Sequence, residues 1–327
     1  MIILTKRRIG LSDLYVMPLM LGGNVFGWTA DRENSFAVLD AFVDAGYNGI
    51  DTAELYSAWV PGHAGGESEA IIGAWLKSRG RRDRIVLATK VGGKLPGDNS
   101  DLSASGIAKA ADDSLTRLQT DYIDLYQSHT DDTRTPLEDT LEAYDRLIRA
   151  GKVRAIGASH HSADRLLEAL EVSERNGLPR YECVQPCFNL RQRSEYEGPL
   201  QQTCVQHNLG VITYSSLAKG FVTGRYRTAE DCASSAWGKW LATCLDERGA
   251  RILGALEEIA GQQGATMAEV ALAWGIVQPG VTAPIVATNT VAELGELLGA
   301  TRLSLDEHQL ATLSAASATA DDTGGRQ

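Results

Sequence analysis

Short runs of apolar and β-branched residues recur along the chain, separated by longer stretches whose apolar residues fall every three or four positions. Eight runs stand out: Leu19–Gly22, Asn48–Asp51, Ile85–Lys90, Ile123–Gln127, Ala155–Ser159, Cys183–Gln185, Gly210–Tyr214 and Ala283–Val286. Between them, Glu33–Ala45, Glu67–Arg79, Gly106–Leu118, Leu137–Ala150 and Ala163–Asn176 carry the helical period. Continuously apolar runs are strands covered on both faces, and their alternation with helices is the rhythm of βα units around a parallel sheet. Eight units predict a (β/α)8 TIM barrel of the α/β class, with residues 1–327 as one domain. Gly46 and Gly151 close helices where positive φ is tolerated. Ser162 stands as an N-cap, as does Thr135 with Pro136 in the first helical position. The segment 7–19 alternates around Gly10 and predicts a hairpin plugging the bottom of the barrel. Ser215 to Leu245 shows no regular pattern and is expected to be an active-site loop, while the tail from Ala318 is expected to fray.

Composition narrows the class of partner. The chain is 43% apolar and 22% charged, which is globular, and no apolar run approaches the ~18 residues of a membrane helix. The N-terminus lacks the long apolar segment of a signal peptide, so a soluble, cytoplasmic protein is expected. Five cysteines, an odd number without a second close pair, read as reduced thiols and not as a disulfide framework or zinc site. A net charge of −11 argues against nucleic acid and anionic membranes. A small-molecule partner is left.

In a barrel of this kind chemistry sits where strands end, so polar residues that close an apolar run are the first candidates. Asp51 ends the second run and Tyr56 follows it closely; Lys90 ends the third; His129 follows the fourth. A tyrosine of reference pKa ~10 is a poor acid at neutral pH, and a neighbouring ammonium lowers that value. Lys90 is therefore expected to acidify Tyr56, Asp51 to keep the lysine charged, and His129 to hold a substrate oxygen or share the proton. Each has a plainer alternative: a core ion pair for Lys90, a turn cap for Asp51, a satisfied structural histidine for His129.

The segments GIDTAELYS (49–57), ATKVG (88–92), DLYQSH (124–129), GASHH (157–161), QPCFN (185–189) and YSSLAKGFVTGRY (214–226) resemble the aldo-keto reductase family over nearly the whole length. The resemblance implies reversible reduction of an aldehyde or ketone, including sugar-like carbonyls, by NADP(H) or alternatively NAD(H), with no metal. It assigns catalysis to Asp51, Tyr56, Lys90 and His129. It places Ser159 and Gln185 on the nicotinamide carboxamide, Tyr214 on the nicotinamide ring, and Ser215, Leu217, Lys219, Gly220, Gly224 and Arg225 around the pyrophosphate. The segment 284–294, with Ala287, Thr288, Asn289 and Glu293, falls to the adenosine end.

Two departures qualify that assignment. His160 stands where many relatives have asparagine beside the carboxamide. The segment 284–294 has no Lys or Arg, which a 2′-phosphate ordinarily wants, and carries Glu293, which repels a phosphate and accepts from a ribose 2′-hydroxyl. NADP(H) follows from the family's usual preference; NAD(H) follows from this segment. Trp28 and Trp59, with Trp237 or Trp240, are expected to wall the substrate cleft, whereas Trp75 and Trp274 fall in helical patterns and read as core. The uncharged stretch Ala58–His63 is either a lid or a plain surface loop. Two competing functions remain: a cofactor-binding regulatory subunit with little turnover, as in a channel-associated relative, and a barrel lyase or isomerase using Lys90 as a Schiff-base amine.

Overall fold

The computed structural model describes residues 5–94 and 99–318. In chain order the strands are β1 (Arg7–Arg8), β2 (Tyr15–Val16), β3 (Met20–Gly22), β4 (Gly49–Asp51), β5 (Val86–Val91), β6 (Ile123–Ser128), β7 (Val153–Ser159), β8 (Tyr181–Gln185), β9 (Gly210–Thr213) and β10 (Val281–Val286). The helices are α1 (Arg32–Asp44), α2 (Glu67–Arg79), α3 (Ala104–Leu118), α4 (Leu137–Arg149), α5 (Ala163–Asn176), α6 (Pro199–Gln206), α7 (Ala229–Ala233), α8 (Gly238–Ala242), α9 (Glu247–Gln263), α10 (Met267–Ile276), α11 (Val291–Gly299) and α12 (Glu307–Ser317). Strands β3 to β10 pair in parallel and close into a barrel in which β10 lies between β9 and β3. All eight runs read from the sequence are barrel strands, with ends shifted by at most two residues. None of the described helices is long and apolar enough to cross a membrane.

The outer helices bury the face that their periodicity marks. In α4, Leu137, Thr140, Leu141, Tyr144 and Leu147 are buried, a stripe at i, i+3, i+4, i+7 and i+10 whose apolar members each stabilise by about 1.5–3 kcal/mol. Ser162 caps α5 by accepting from the Arg165 amide. Thr135 does not cap α4. Pro136 is extended at φ −55, ψ 140, so the helix begins at Leu137, and the Thr135 hydroxyl donates instead to Asp132 Oδ2 at 2.9 Å. Trp75 and Trp274 are fully buried, and all five cysteines are unpaired and buried.

The hairpin β1–β2 closes the lower end. Ile9, Leu14 and Val16 pack with Met20, Val86, Ala88, Leu125, Ala155, Cys183, Ile212, Ala283 and Ile285 in a separate apolar cluster within the strands. Gly10 sits at φ +56, and a Cβ there would lie 2.2 Å from the Glu182 carbonyl oxygen, so the turn requires glycine. Between 215 and 245 the chain is not one irregular loop. It holds a 3₁₀ segment, Ala218–Thr223, followed by α7 and α8. These elements are too short for a pattern of three- and four-residue spacing to register. The expected fraying beyond residue 318 lies outside the described residues.

Candidate active site

The plug fixes what lies above it. Side chains two residues apart on a strand share a face, so Ala88, Leu125, Cys183 and Ile212, inside the barrel, are followed upward by Lys90, Gln127, Gln185 and Tyr214. Parallel register sets Lys90 beside Gln127 and Ser159 beside Gln185. The strand ends thus raise a ring of polar groups over an apolar floor.

Lys90 is fully buried and Asp51 is 1% exposed. The lysine Nζ donates to Asp51 Oδ2 at 2.6 Å, the Thr52 carbonyl at 2.8 Å and Tyr56 Oη at 3.0 Å, which accounts for its three N–H bonds. The other Asp51 oxygen, Oδ1, accepts from Gln185 Nε2 at 2.9 Å and Gln127 Nε2 at 3.1 Å. Gln185 Nε2 also donates to Gln127 Oε1 at 3.2 Å. Gln127 is therefore a member of the site that the sequence reading gave no role. Its signal was a polar residue on the inward face of an apolar strand.

The loop carrying Tyr56 is tied down from several sides. Glu54 Oε1 accepts from the amides of Gly92 at 2.8 Å and Gly93 at 3.4 Å. Ser57 Oγ donates to the Phe26 carbonyl at 3.2 Å, and Thr52 Oγ1 lies 2.8 Å from Ser68 Oγ.

Burial pushes the Tyr56 phenol above its ordinary pKa; the Lys90 charge pulls it down, and Asp51 raises it again. The expected acidification of Tyr56 by Lys90 is thus outweighed, chiefly by burial, with the carboxylate beside the lysine offsetting part of its field. Burial works against the Lys90 ammonium, but Asp51 and then Tyr56 more than compensate and hold its pKa above the usual value. His129 is driven well below the ordinary imidazole value by burial, with Lys90 and His160 adding to the shift. Its Nδ1 is buried without a hydrogen-bond partner, and a Cβ at Gly93 would come within 2.8 Å of it. Nδ1 therefore faces the backbone and leaves Nε2 for the cleft.

A cleft of about 760 Å³ opens here, lined by Asp51, Tyr56, His129, Trp28 and Trp59 and by every cofactor candidate named from the sequence except Gly224. Lys90 stands behind its wall. Trp59 packs edge-on against Trp28 and Tyr56, with centroids 5.6 and 6.0 Å apart. Of the two tryptophans in the 215–245 segment, Trp237 lines the cleft; Trp240 packs against the core. Lys219 Nζ lies 4.3 and 4.6 Å from their ring centroids. Ala58–His63 forms successive turns, with Trp59 exposed.

Several features of the cleft fit a dinucleotide. Ser215 Oγ is buried without a protein partner. Ser215, Ala218, Lys219 and Gly220 all have positive φ, a run of turned amides of the kind that forms an anion-binding concavity. His160, also at positive φ, sets its ring 5.4 Å from Tyr214 and 6.4 Å from His129. Not every assigned contact is free. Ser159 Oγ donates to the Gln185 carbonyl at 2.8 Å, and Gln185 Nε2 is engaged with Asp51 and Gln127. At the far end, Glu293 accepts from Thr288 Oγ1 at 2.8 Å and the Asn289 amide at 3.3 Å, and Arg225 lies 3.5 Å away.

Residues 18–318 match the model of the Aldo/keto reductase family. The chain is 34% identical to "Uncharacterized oxidoreductase YrpG" of Bacillus subtilis (strain 168), over 94% of each protein. It is 31% identical to "Protein tas" of Escherichia coli (strain K12), over 94% of this chain and 96% of that one. It is also 34% identical to "Probable voltage-gated potassium channel subunit beta" of Oryza sativa subsp. japonica, over 85% of each. With the closed parallel barrel and the Asp51–Lys90–Tyr56 cluster at its rim, these matches establish that the chain belongs to the aldo/keto reductase family.

Proposed function

We propose that the chain, as one barrel domain, is a cytoplasmic NAD(P)H-dependent carbonyl reductase in which Tyr56 exchanges a proton with the substrate oxygen. The observation that carries this reading is the Lys90 ammonium, 3.0 Å from Tyr56 Oη and 2.6 Å from Asp51 behind the wall of the cleft. Because Lys90 donates to it, the Tyr56 oxygen accepts and its own proton is free for donation. The ammonium stabilises the phenolate left behind, and Asp51 keeps that ammonium charged. His129 is neutral; with no acceptor facing Nδ1, its single proton belongs on Nε2, where it donates to the same substrate oxygen and steadies the charge that develops there. Tyr214, His160, Ser215, Leu217, Lys219, Gly220 and Arg225 would hold the nicotinamide and pyrophosphate portions, and Ala287, Thr288, Asn289 and Glu293 the adenosine. When bound, the reduced nicotinamide supplies the hydride. Trp28 and Trp59 present an uncharged aromatic wall to the substrate.

Lys90 does not suit a Schiff base: it is charged, buried and uses all three N–H bonds. The similarity to the rice protein supports a second reading, a cofactor-binding subunit with little turnover. Consumption of reduced cofactor with a panel of aldehydes separates the two, since tight cofactor binding without consumption supports the subunit. Within the first reading, Tyr56→Phe is expected to lower turnover by roughly 10²–10⁴-fold with cofactor affinity nearly unchanged. Equal turnover in variant and parent rejects the role of Tyr56.

A further inference from the structure

The far end of the cleft carries an anion of its own. Glu293 lies in the first turn of α11, three residues after the N-cap Thr290, where the positive end of the helix and its unpaired amides would otherwise favour a phosphate. Its carboxylate turns back beside that end, onto the residues just ahead of the N-cap. One oxygen, Oε2, takes the Thr288 hydroxyl and the Asn289 amide; the other, Oε1, faces both terminal nitrogens of Arg225 at 3.5 Å. Partial burial pushes the Glu293 carboxyl up, but these hydrogen bonds and the Arg225 charge outweigh it and hold it below its ordinary value. It is an anion throughout the neutral range.

The balance of charge around it is no kinder to a phosphate. Glu296, one turn further along α11, lines the same cleft. Arg225 and Lys219 are the cations lining the cleft among the described residues. Arg225 is paired with Glu293, and Lys219 lies against the Trp237 and Trp240 rings. Drawing Arg225 to a phosphate would leave Glu293 uncompensated beside that phosphate. A ribose hydroxyl has the opposite fit, because it donates to a carboxylate that is already fixed in place.

We propose that Glu293 makes this cleft select NAD(H) over NADP(H), by accepting from the adenosine ribose and rejecting a 2′-phosphate. The inference rests on the dinucleotide reading of the cleft given above. A phosphate monoester of charge about −1.5, roughly 5 Å from a carboxylate under water-like screening, is disfavoured by about tenfold. The preference is therefore expected at about tenfold in dissociation constant, and to shrink as salt rises.

The test is equilibrium binding to the full chain, followed by tryptophan fluorescence at one ionic strength. NADH is compared with NADPH, and adenosine 5′-monophosphate with adenosine 2′,5′-bisphosphate. NADH binding about tenfold more tightly than NADPH, with the fragments in the same order, supports the proposal. In E293Q the gap should close to within about threefold, chiefly because NADPH binds better; E293A is the second variant should the amide disturb the turn. NADPH bound as tightly as NADH by the parent chain overturns the selectivity and leaves the dinucleotide reading standing. A parent preference that persists unchanged in both variants overturns the role of Glu293. If neither dinucleotide binds, the dinucleotide reading fails and the inference falls with it.

Discussion

Replacing Lys90 by methionine removes the cation and keeps most of the volume, so its effect isolates the buried charge. The carboxylate of Asp51 is then left 1% exposed, with only the two glutamine amides as donors. Breaking a buried pair from one side costs about 3–5 kcal/mol, since a lone ion remains in a medium that solvates it poorly. With a urea slope of about 3 kcal/mol/M, the unfolding midpoint should fall by about 1–1.7 M. Asp51→Asn should destabilise by a comparable amount, because it strands the ammonium. The double variant, with no charge at either position, should recover much of that loss and show a coupling of at least about 2 kcal/mol. Urea melts of the four proteins, followed by far-ultraviolet circular dichroism, measure all of these. A coupling below about 0.5 kcal/mol, within the ordinary error of additivity, refutes the claim that the pair is buried and mutually dependent.

Three further outcomes follow from the same geometry. Reduction should be independent of pH from neutrality into the mildly alkaline range: His129 is already neutral there, and the Tyr56 phenol, raised above the tyrosine reference of ~10, keeps its proton. An alkaline limb near pH 8 in kcat/KM would refute that assignment. Gly73→Ala should destabilise by about 1–3 kcal/mol, since a Cβ there would meet the Arg117 carbonyl oxygen at 2.1 Å where α2 crosses α3; thermal melting checks it. Gln127→Leu should cost about 1–3 kcal/mol and lower turnover, by depriving Asp51 of a donor and Gln185 Nε2 of an acceptor; an unchanged melting temperature contradicts the network.

What the sequence disclosed and what it withheld divide along the distance over which each feature is determined. The barrel strands announce themselves because both faces are buried, and a doubly buried strand is mostly apolar. Tyr56 and Lys90 were visible as chemistry placed where such runs end. Gln127 was hidden. Taken alone it is one of the polar residues in IDLYQS, and only the register of β6 against β5 shows that it meets Asp51 across the intervening strand. The failed cap at Thr135 is likewise a matter of one backbone angle, set by Pro136 and by Asp132, which holds the Thr135 hydroxyl.

The direction of the Tyr56 shift shows why residue types predict a site's membership better than its electrostatics. A lysine beside a tyrosine lowers the phenol's pKa when the pair is considered by itself, and from the sequence no more could be considered. In the folded chain burial raises the phenol's pKa more than the lysine lowers it, and the lysine is inseparable from Asp51, whose charge both holds the ammonium in the core and offsets part of the field it exerts on the phenol. Removing Asp51 to strengthen that field would strand the ammonium and weaken the fold. The consequence is a tyrosine that stays protonated at rest and gains from Lys90 chiefly when it loses its proton. The proton donor proposed for this site needs that asymmetry: the ammonium acts most strongly on the phenolate, the form that exists only once the proton has moved.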